Sequence, residues 1–547
     1  MTDDTQQHPA AARWQRPAMW IGLGAAVVAL ALHAHHFDFI NDDAFISFRY
    51  ADNLVRHGEL TYNVGERVEG YTNFLWTLVI AGVLALGGDA VVWSKALGVL
   101  CSAGTLLSLA LFTRWWVAHS QSTRSPLWAC LAPALLAVNS AFACWSEGGL
   151  ETALFTFWVT AAVLRYVVER LSEEPPLPWS GALLALAAMT RPEGVLLFGL
   201  LGLHRLGWQA AVERIKLPPK DAWLWGALFV GLYLPYWLWR FNYYGYPFPN
   251  TYYAKGDQAL WGLGWLYVSS FVTDCHVWIV LPLMALPSRM RGAGALRSVA
   301  LVFVVPFLLY VTRVGGDFMA LWRFLVPTLP VFALLAQEGA ADLTAMFHEA
   351  WRARHGDAPG RLAQGRLLAA GLALFVLLGV HNGRLTQRSL EVGSENGVDS
   401  IGWLKMFVDQ LTPIGHALAA TYPPETSIAV TAAGVIPYYA RLRTLDLLAL
   451  NDVYTAHNVQ AHRKRPGHAK AAPEPYVLKW APTLLIWQPR LSDHQPRARP
   501  GEQRYWKARG YTFRYAQVPG LTPPWWSWYE RAESVGDEPA RKTIQMP

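Results

Sequence analysis

Two adjacent carboxylates, Asp42 and Asp43, open a stretch crowded with acids, arginines, asparagines and aromatics, INDDAFISFRYADNLVRHGELTYNVGERVEGYTNFLW at 40–76, set between two apolar stretches. Charge beside a hydrophobic span is costly, so acids kept at a membrane surface point to function. A carboxylate held near a sugar hydroxyl removes its proton as the oxygen attacks an activated carbon, an assistance worth roughly 10²- to 10⁴-fold. The bland alternative is a solvated helix cap at a membrane boundary. A leaving phosphate on a polyprenol requires cations at the same surface, and Arg49, Arg67, Arg191, Lys255 and Arg323 are available as donor- or phosphate-binding candidates. Arginine grips phosphate in bidentate fashion, whereas lysine acts as a point charge. Neither a Walker-type phosphate loop nor a nucleotide fold is visible, so a lipid-linked donor suits this inventory better than a nucleotide sugar.

Further polar blocks supply candidate sugar and acceptor contacts. Tyr50, Glu66, Glu69 and Asn73 lie in the opening stretch, where Glu66, Arg67 and Glu69 also have the simpler reading of pairing with one another on a surface helix. SEGGLET at 146–152 sets Glu147 and Glu151 four residues apart, a pattern that equally marks a helix start favouring acids. In TRPEG at 190–194 the proline steers Arg191 away from helical geometry. Arg191 and Glu193 are thus placed at a break in the apolar region, where irregular backbone lines a cavity. PNTYYAK at 249–255 offers Asn250, Tyr252 and Lys255, with an interfacial tyrosine belt and a snorkelling lysine as the alternative. Asp317 after two glycines is either a turn acid or a site residue, and Asp446 and Asp452 are acceptor-contact candidates that turn chemistry explains equally well. His33, His35 and His36 lack the spacing of a metal set, so no metal ligands are assigned, although a divalent cation stays open as a cofactor.

The elements that must position these groups are apolar. Of 547 residues, 53% are hydrophobic, 13% aromatic and only 16% charged, with 27 tryptophans. A soluble domain carries about 25% charge. Apolar blocks occupy 20–32, 91–112, 127–142, 150–168, 223–239, 265–286, 299–311, 321–335 and 367–380. With the 20-residue rule and the basic-loop rule, they predict about eleven or twelve spans. The first is read as retained rather than as a removed signal peptide. Arg205, Arg214, Lys216 and Lys220, then Arg289, Arg291 and Arg297, then Arg352, Arg354, Arg361 and Arg366 mark cytoplasmic connections. The opening loop and everything after about residue 381 then fall outside. Arg114 and Arg124 break strict alternation; a short or re-entrant helix near 189–203, or a broken pair near 86–92, restores the count.

From about 395 onward no apolar run is long enough to span, and short strands at 427–430, 444–448 and 483–487 with helical stretches at 402–419 and 434–440 read as an α/β domain of roughly 150 residues. The aromatic group Trp525, Trp526, Trp528 and Tyr529 serves a membrane interface or a core. Cys101, Cys130, Cys144 and Cys275 all lie in or beside apolar runs without CxxC spacing and read as small hydrophobes. No repeat of fixed period is present.

The residues resemble a family: the polyprenyl-phosphate-dependent glycosyltransferases of the GT-C fold, and among them the bacterial AftB-type arabinofuranosyltransferases. The resemblance is carried by NDDAFISFRYADNL at 41–54, YNVGERVEGYTNFLW at 62–76, SEGGLET, TRPEG, PNTYYAK, GGDFM at 315–319, RFLVP at 323–327 and LDLLALND at 445–452. It implies a polytopic helical GT-C-like membrane module over 1–394, with a catalytic first extracytoplasmic loop at 37–70, and an extracytoplasmic α/β domain over 395–547. It implies transfer of a pentofuranose, arabinofuranose first, from a polyprenyl-phosphate donor to a glycan or protein hydroxyl of the cell envelope. The site then lies on the outer face of a bacterial inner membrane, with lipid and no nucleic acid as partner. In such a family the first loop acid is the base, which favours Asp42 slightly over Asp43. A polytopic transporter or flippase for lipid-linked sugars, with Glu147, Glu151 and Arg191 along its path, is the alternative; its mark would be duplicated halves.

Overall fold

The computed structural model describes residues 9–173, 176–211, 220–256, 259–356, 358–462, 465–532 and 540–541; Arg214 and Lys216 lie outside the described residues. The chain forms two compact units, each discontinuous in sequence: Met1–Asp38, Lys95–Pro235 and Leu260–Glu391 make one, and Phe39–Ser94, Tyr236–Ala259 and Val392–Pro547 the other. The opening loop therefore folds with the C-terminal segment.

The first unit is helical and marks a multi-pass membrane protein. Six helices among the described residues are long and apolar enough to cross a bilayer, among them Gln15–Phe37, Thr152–Leu171, Ala293–Val314 and Arg361–Leu390. A seventh span arises if the pair Trp261–Asp274 and Val277–Met284, bent by 68°, counts as one. That is fewer than the eleven or twelve expected, because several apolar blocks are broken. The block at 127–142 divides into a 3-10 turn at Pro126–Cys130 and the helices Leu131–Val138 and Ser140–Cys144. Asn139 stands at that second break and caps the last helix, its side chain accepting from the Phe142 amide. The block at 265–286 breaks where His276 takes a left-handed φ of 53°. The expected interruption at Arg191 is present: helices Ser180–Thr190 and Glu193–Ala211 are parted by Arg191 in extended geometry. Arg124, which upset the charge-based topology, sits in ion pairs with Glu338 (2.6 Å) and Asp342 (2.7 Å) inside the helical unit.

The second unit is built on a six-stranded sheet in the order Arg443–Asp446, Ser427–Val430, Leu484–Ser492, Trp525–Arg531, Tyr511–Gln517, Ala540–Arg541. The first three strands run parallel and the next two pairings are antiparallel. All three strands expected from sequence are present. The Ile401–Thr421 helix is opened by Ser400, whose hydroxyl accepts from the Trp403 amide. Trp526, Trp528 and Tyr529 are buried at 0%, 2% and 3% exposure, so the aromatic group is core. Leu445, Val477, Leu485, Trp506 and Phe513 pack with Tyr529 in one cluster.

Candidate active site

In the second unit, Asn41 ends the chain's extended entry at ψ 145° and its side chain accepts from the Asp43 amide at 2.8 Å. Helix Asp42–His57 follows, with both aspartates in its first turn, where the helix dipole favours anions. Gly58 closes it at φ 71°, its N–H on the Leu54 carbonyl. The cap is Asn41 and not the acid pair, which leaves the Asp42 carboxylate for another partner. That partner is 392 residues away. Asp42 Oδ2 accepts from the Gly434 amide at 3.2 Å and Oδ1 from the Val435 amide at 2.8 Å. Gly434 is at the entry of helix Val435–Ala440, and a Cβ there would lie 1.9 Å from the Asp42 carbonyl oxygen. Only glycine admits this approach.

Burial pushes the Asp42 carboxyl up to about 7; the neighbouring Asp43 charge adds to this, and the Val435 and Gly434 amides oppose it. A carboxylate titrating there is matched to proton abstraction near neutrality. Asp43 is half-buried in the same turn.

The helix bearing these acids is clamped along its length. Arg49 donates to the carbonyls of Tyr62 (2.6 Å), Pro437 (2.5 Å) and Leu442 (2.7 Å) and to Asn63 Oδ1 (3.1 Å). The Tyr50 hydroxyl accepts from the Gly70 amide (2.8 Å) and lies 2.7 Å from the Val68 carbonyl oxygen and 3.1 Å from Asn451 Oδ1. Asn73 joins Ser47 at 3.1 Å and accepts from Thr77 at 3.2 Å. These residues hold the loop in shape.

The expected mutual pairing of Glu66, Arg67 and Glu69 is not formed. Glu66 pairs with Arg443 at 2.7 Å, and Arg67 is exposed with its guanidinium 4.7 Å from the Tyr243 ring centre. Glu69, at 3% exposure, receives Arg240 Nη2 at 2.6 Å and Nε at 2.9 Å. Burial raises the Glu69 carboxyl and Arg240 opposes that rise. Removing one partner of a buried pair leaves an uncompensated charge, at a cost of about 3–5 kcal/mol. Arg240→Ala is therefore expected to lower the detergent-solubilised protein's unfolding midpoint sharply, and Glu69→Gln less so, in a thermal melt; equal melts for the wild type and Arg240→Ala would refute it.

Asn250 donates to the carbonyls of Ala449, Leu450 and Asp452, tying PNTYYAK to LDLLALND. Tyr252 is 52% exposed and Lys255 is exposed in the last turn of helix Asn250–Lys255. Asp446, at 0% exposure, accepts from the amides of Leu448 and Asn451 and from the Asn451 side chain, and burial pushes it up to about 6. Asp452 caps helix Val453–Asn458 through the Thr455 amide.

The first unit carries a separate polar cluster. Arg191 pairs with Glu193 (2.9 Å) and Glu151 (3.3 Å), and Arg323 with Asp317 (2.6 Å). Both guanidiniums lie by the Phe324 ring, at 4.9 and 5.3 Å. Sequence reasoning thus found these five residues, but their mutual pairing came only with the fold. Glu147 is apart from them: Lys95 reaches it at 3.3 Å and Asp38 at 2.9 Å. Burial raises the Glu147 carboxyl and Lys95 opposes that. Lys95 was missed, although one lysine in the otherwise apolar opening of helix Ala90–His119 was a usable signal. Arg240, in the largely apolar helix Lys220–Tyr244, carried the same signal, whereas Gly434 and Val435 carried none. Among the described residues no three His, Cys, Asp or Glu side chains gather as a metal set.

A family model described as a domain of unknown function (DUF8728) matches residues 405–529. Two curated relatives are terminal β-(1→2)-arabinofuranosyltransferases. The one from Corynebacterium glutamicum is 29% identical over 352 residues, covering 54% of this chain and 47% of its own. The one from Mycobacterium tuberculosis is 26% identical over 369 residues, covering 60% and 56%. The chain spans about half the length of the curated relatives it matches. Among solved structures, ArnT from Cupriavidus metallidurans bound to undecaprenyl phosphate superposes with a TM-score of 0.50 at 11% identity, over 78% of this chain and 85% of that one. The chain therefore has the GT-C fold and is similar in sequence to the bacterial terminal arabinofuranosyltransferases.

Proposed function

We propose that the protein transfers an arabinofuranosyl group from a polyprenyl-phosphate carrier to a hydroxyl of a cell-envelope glycan, on the outer face of a bacterial inner membrane. The observation that carries the reading is Asp42: a carboxylate in the first turn of a clamped helix, gripped by two backbone amides and titrating near 7. The similarity to terminal arabinofuranosyltransferases supports the sugar, and ArnT's bound undecaprenyl phosphate supports the carrier.

In this reading Asp42 takes the proton of the acceptor hydroxyl as its oxygen bonds to the anomeric carbon. The bond from that carbon to the phosphate oxygen breaks, and the polyprenyl phosphate leaves with the electron pair. One displacement inverts the anomeric carbon. Asp43 orients the incoming group and, through its charge, keeps Asp42 basic. Arg67 and Lys255, both exposed, are assigned to the departing phosphate in the second unit. Arg49 is assigned to holding the helix, since its donors already meet four acceptors. Asp446 likewise positions Asn451 from beneath the surface.

In the first unit, Glu151, Glu193 and Asp317 outnumber Arg191 and Arg323 three to two. That balance suits sugar hydroxyls better than a bare phosphate, because each guanidinium is already neutralised. The transporter reading is not favoured, since the curated relatives are glycosyltransferases.

The test is transfer by purified protein in detergent from a synthetic polyprenyl-phospho-arabinofuranose to an arabinofuranose oligosaccharide, with the product linkage read by NMR. A product lengthened by one pentose of inverted configuration is expected. No product with intact donor would overturn the assignment, and a retained configuration would overturn the single displacement.

A further inference from the structure

The second unit exposes an aromatic and polar patch that the mechanism above does not use. Tyr454, 45% exposed, stacks on Tyr476 with ring centres 4.1 Å apart and planes 21° off parallel. Tyr476 is itself held from behind: it is half-buried against the sheet core, and its hydroxyl donates to Asp452 Oδ2 at 2.8 Å. Burial, then the Asp452 carboxylate, then Glu66, keep that hydroxyl protonated, so Glu66 belongs to the same neighbourhood. One turn along helix Glu474–Trp480, on the same face as Tyr476, Trp480 has the Arg443 guanidinium 4.6 Å from its ring centre. Arg443 is exposed and also pairs with Glu66 at 2.7 Å.

From this juxtaposition we infer that Tyr454, backed by Tyr476 and flanked by Asp452, Arg443, Glu66 and Trp480, is a docking platform for the sugar rings of an uncharged glycan, the acceptor. The inference rests on the glycosyltransfer reading above and adds to it the surface on which the glycan acceptor docks.

Three features select this occupant. A ring face whose orientation is locked by a stacked partner presents its negative quadrupole to the polarised C–H face of a sugar at little entropic cost. The polar groups around it both donate and accept, as hydroxyl recognition requires. The charges are matched, Arg443 against Glu66, with Asp452 left over as an anion that disfavours a phosphorylated or otherwise acidic chain. A patch facing the hydrocarbon core would carry aliphatic side chains, as the exposed surface of helix Arg361–Leu390 does with Leu368, Leu372, Val376 and Leu377.

The experiment is calorimetric titration of the full-length protein in detergent with a short synthetic arabinofuranose oligosaccharide and no donor present. Tyr454→Ala is expected to weaken binding about tenfold, the loss of roughly one well-made aromatic contact, while Tyr454→Trp retains it. In turnover the same Tyr454→Ala is expected to raise the acceptor KM about tenfold, leaving kcat and the donor KM unchanged. Tyr454 is exposed, so neither change threatens the fold. Undiminished oligosaccharide binding by Tyr454→Ala, no binding by the wild type, or tighter binding of an acidic peptide than of the oligosaccharide would each overturn the inference. Because binding is read without donor, it stands or falls separately from the transfer reaction.

Discussion

Asp42→Asn is expected to lower kcat for transfer by about 10²- to 10⁴-fold, the range a positioned general base contributes. Donor affinity should change little, because asparagine keeps the size and the helix position. The wild-type pH profile supplies an independent check. The base acts only when ionised, and burial pushes Asp42 up to about 7. Activity is therefore low on the acid side, rises as pH increases through about 7, and levels off above it. With Asp42→Asn the residual rate should lose this limb. Asp43→Asn should keep a limb but shift it to lower pH, since removing the neighbouring anion removes one of the influences that raise Asp42. Rates in the free enzyme are read from kcat/KM against pH. The opposite pattern, a flat profile for Asp43→Asn and a preserved one for Asp42→Asn, would move the base to Asp43.

The second large effect is expected from Gly434→Ala, which touches no substrate in the proposed reaction. A methyl at this position would sit 1.9 Å from the Asp42 carbonyl oxygen, 2.7 Å from its carbonyl carbon and 2.8 Å from its Cγ. Backbone and carboxylate must both move, and the amide donors of Gly434 and Val435 move with them. Displacing a catalytic group by about 1 Å costs on the order of 10²-fold in rate. We expect kcat to fall by about that factor, with the acceptor KM within a few-fold and a melting temperature that still shows a folded protein. Crosswise, the double variant Asp42→Asn with Gly434→Ala should be no worse than Asp42→Asn alone, because both act on one group. Additive losses would show that Gly434 acts elsewhere.

Much of this molecule is legible in its sequence. Asp42 and Asp43 stand out because charge beside an apolar span is rare, and the strands at 427–430 and 483–487 because short apolar runs are bounded by turn residues; the second extends to Ser492 in the fold. Arg191 was placed at a break by the proline that follows it, and the break is there. The span count was not legible. Local apolarity at 127–142 and 265–286 says nothing of the breaks at Asn139 and His276, which depend on capping and on a left-handed residue. Pairing was equally hidden. Glu66, Arg67 and Glu69 are neighbours in sequence, yet Glu66 and Glu69 find Arg443 and Arg240, and Arg67 lies beside Tyr243.

The sequence by itself determined the kind of protein: long apolar helices, a strand-bearing C-terminal segment, and acids retained at the edge of a span. Those properties are local, because hydrophobic period and turn chemistry are set by residues close together in the chain. Only the tertiary structure decided that the opening loop folds with the C-terminal segment, and that two amides from Gly434 and Val435 grip Asp42. A backbone N–H looks the same at every position until folding brings one, across almost four hundred residues, to a particular carboxylate.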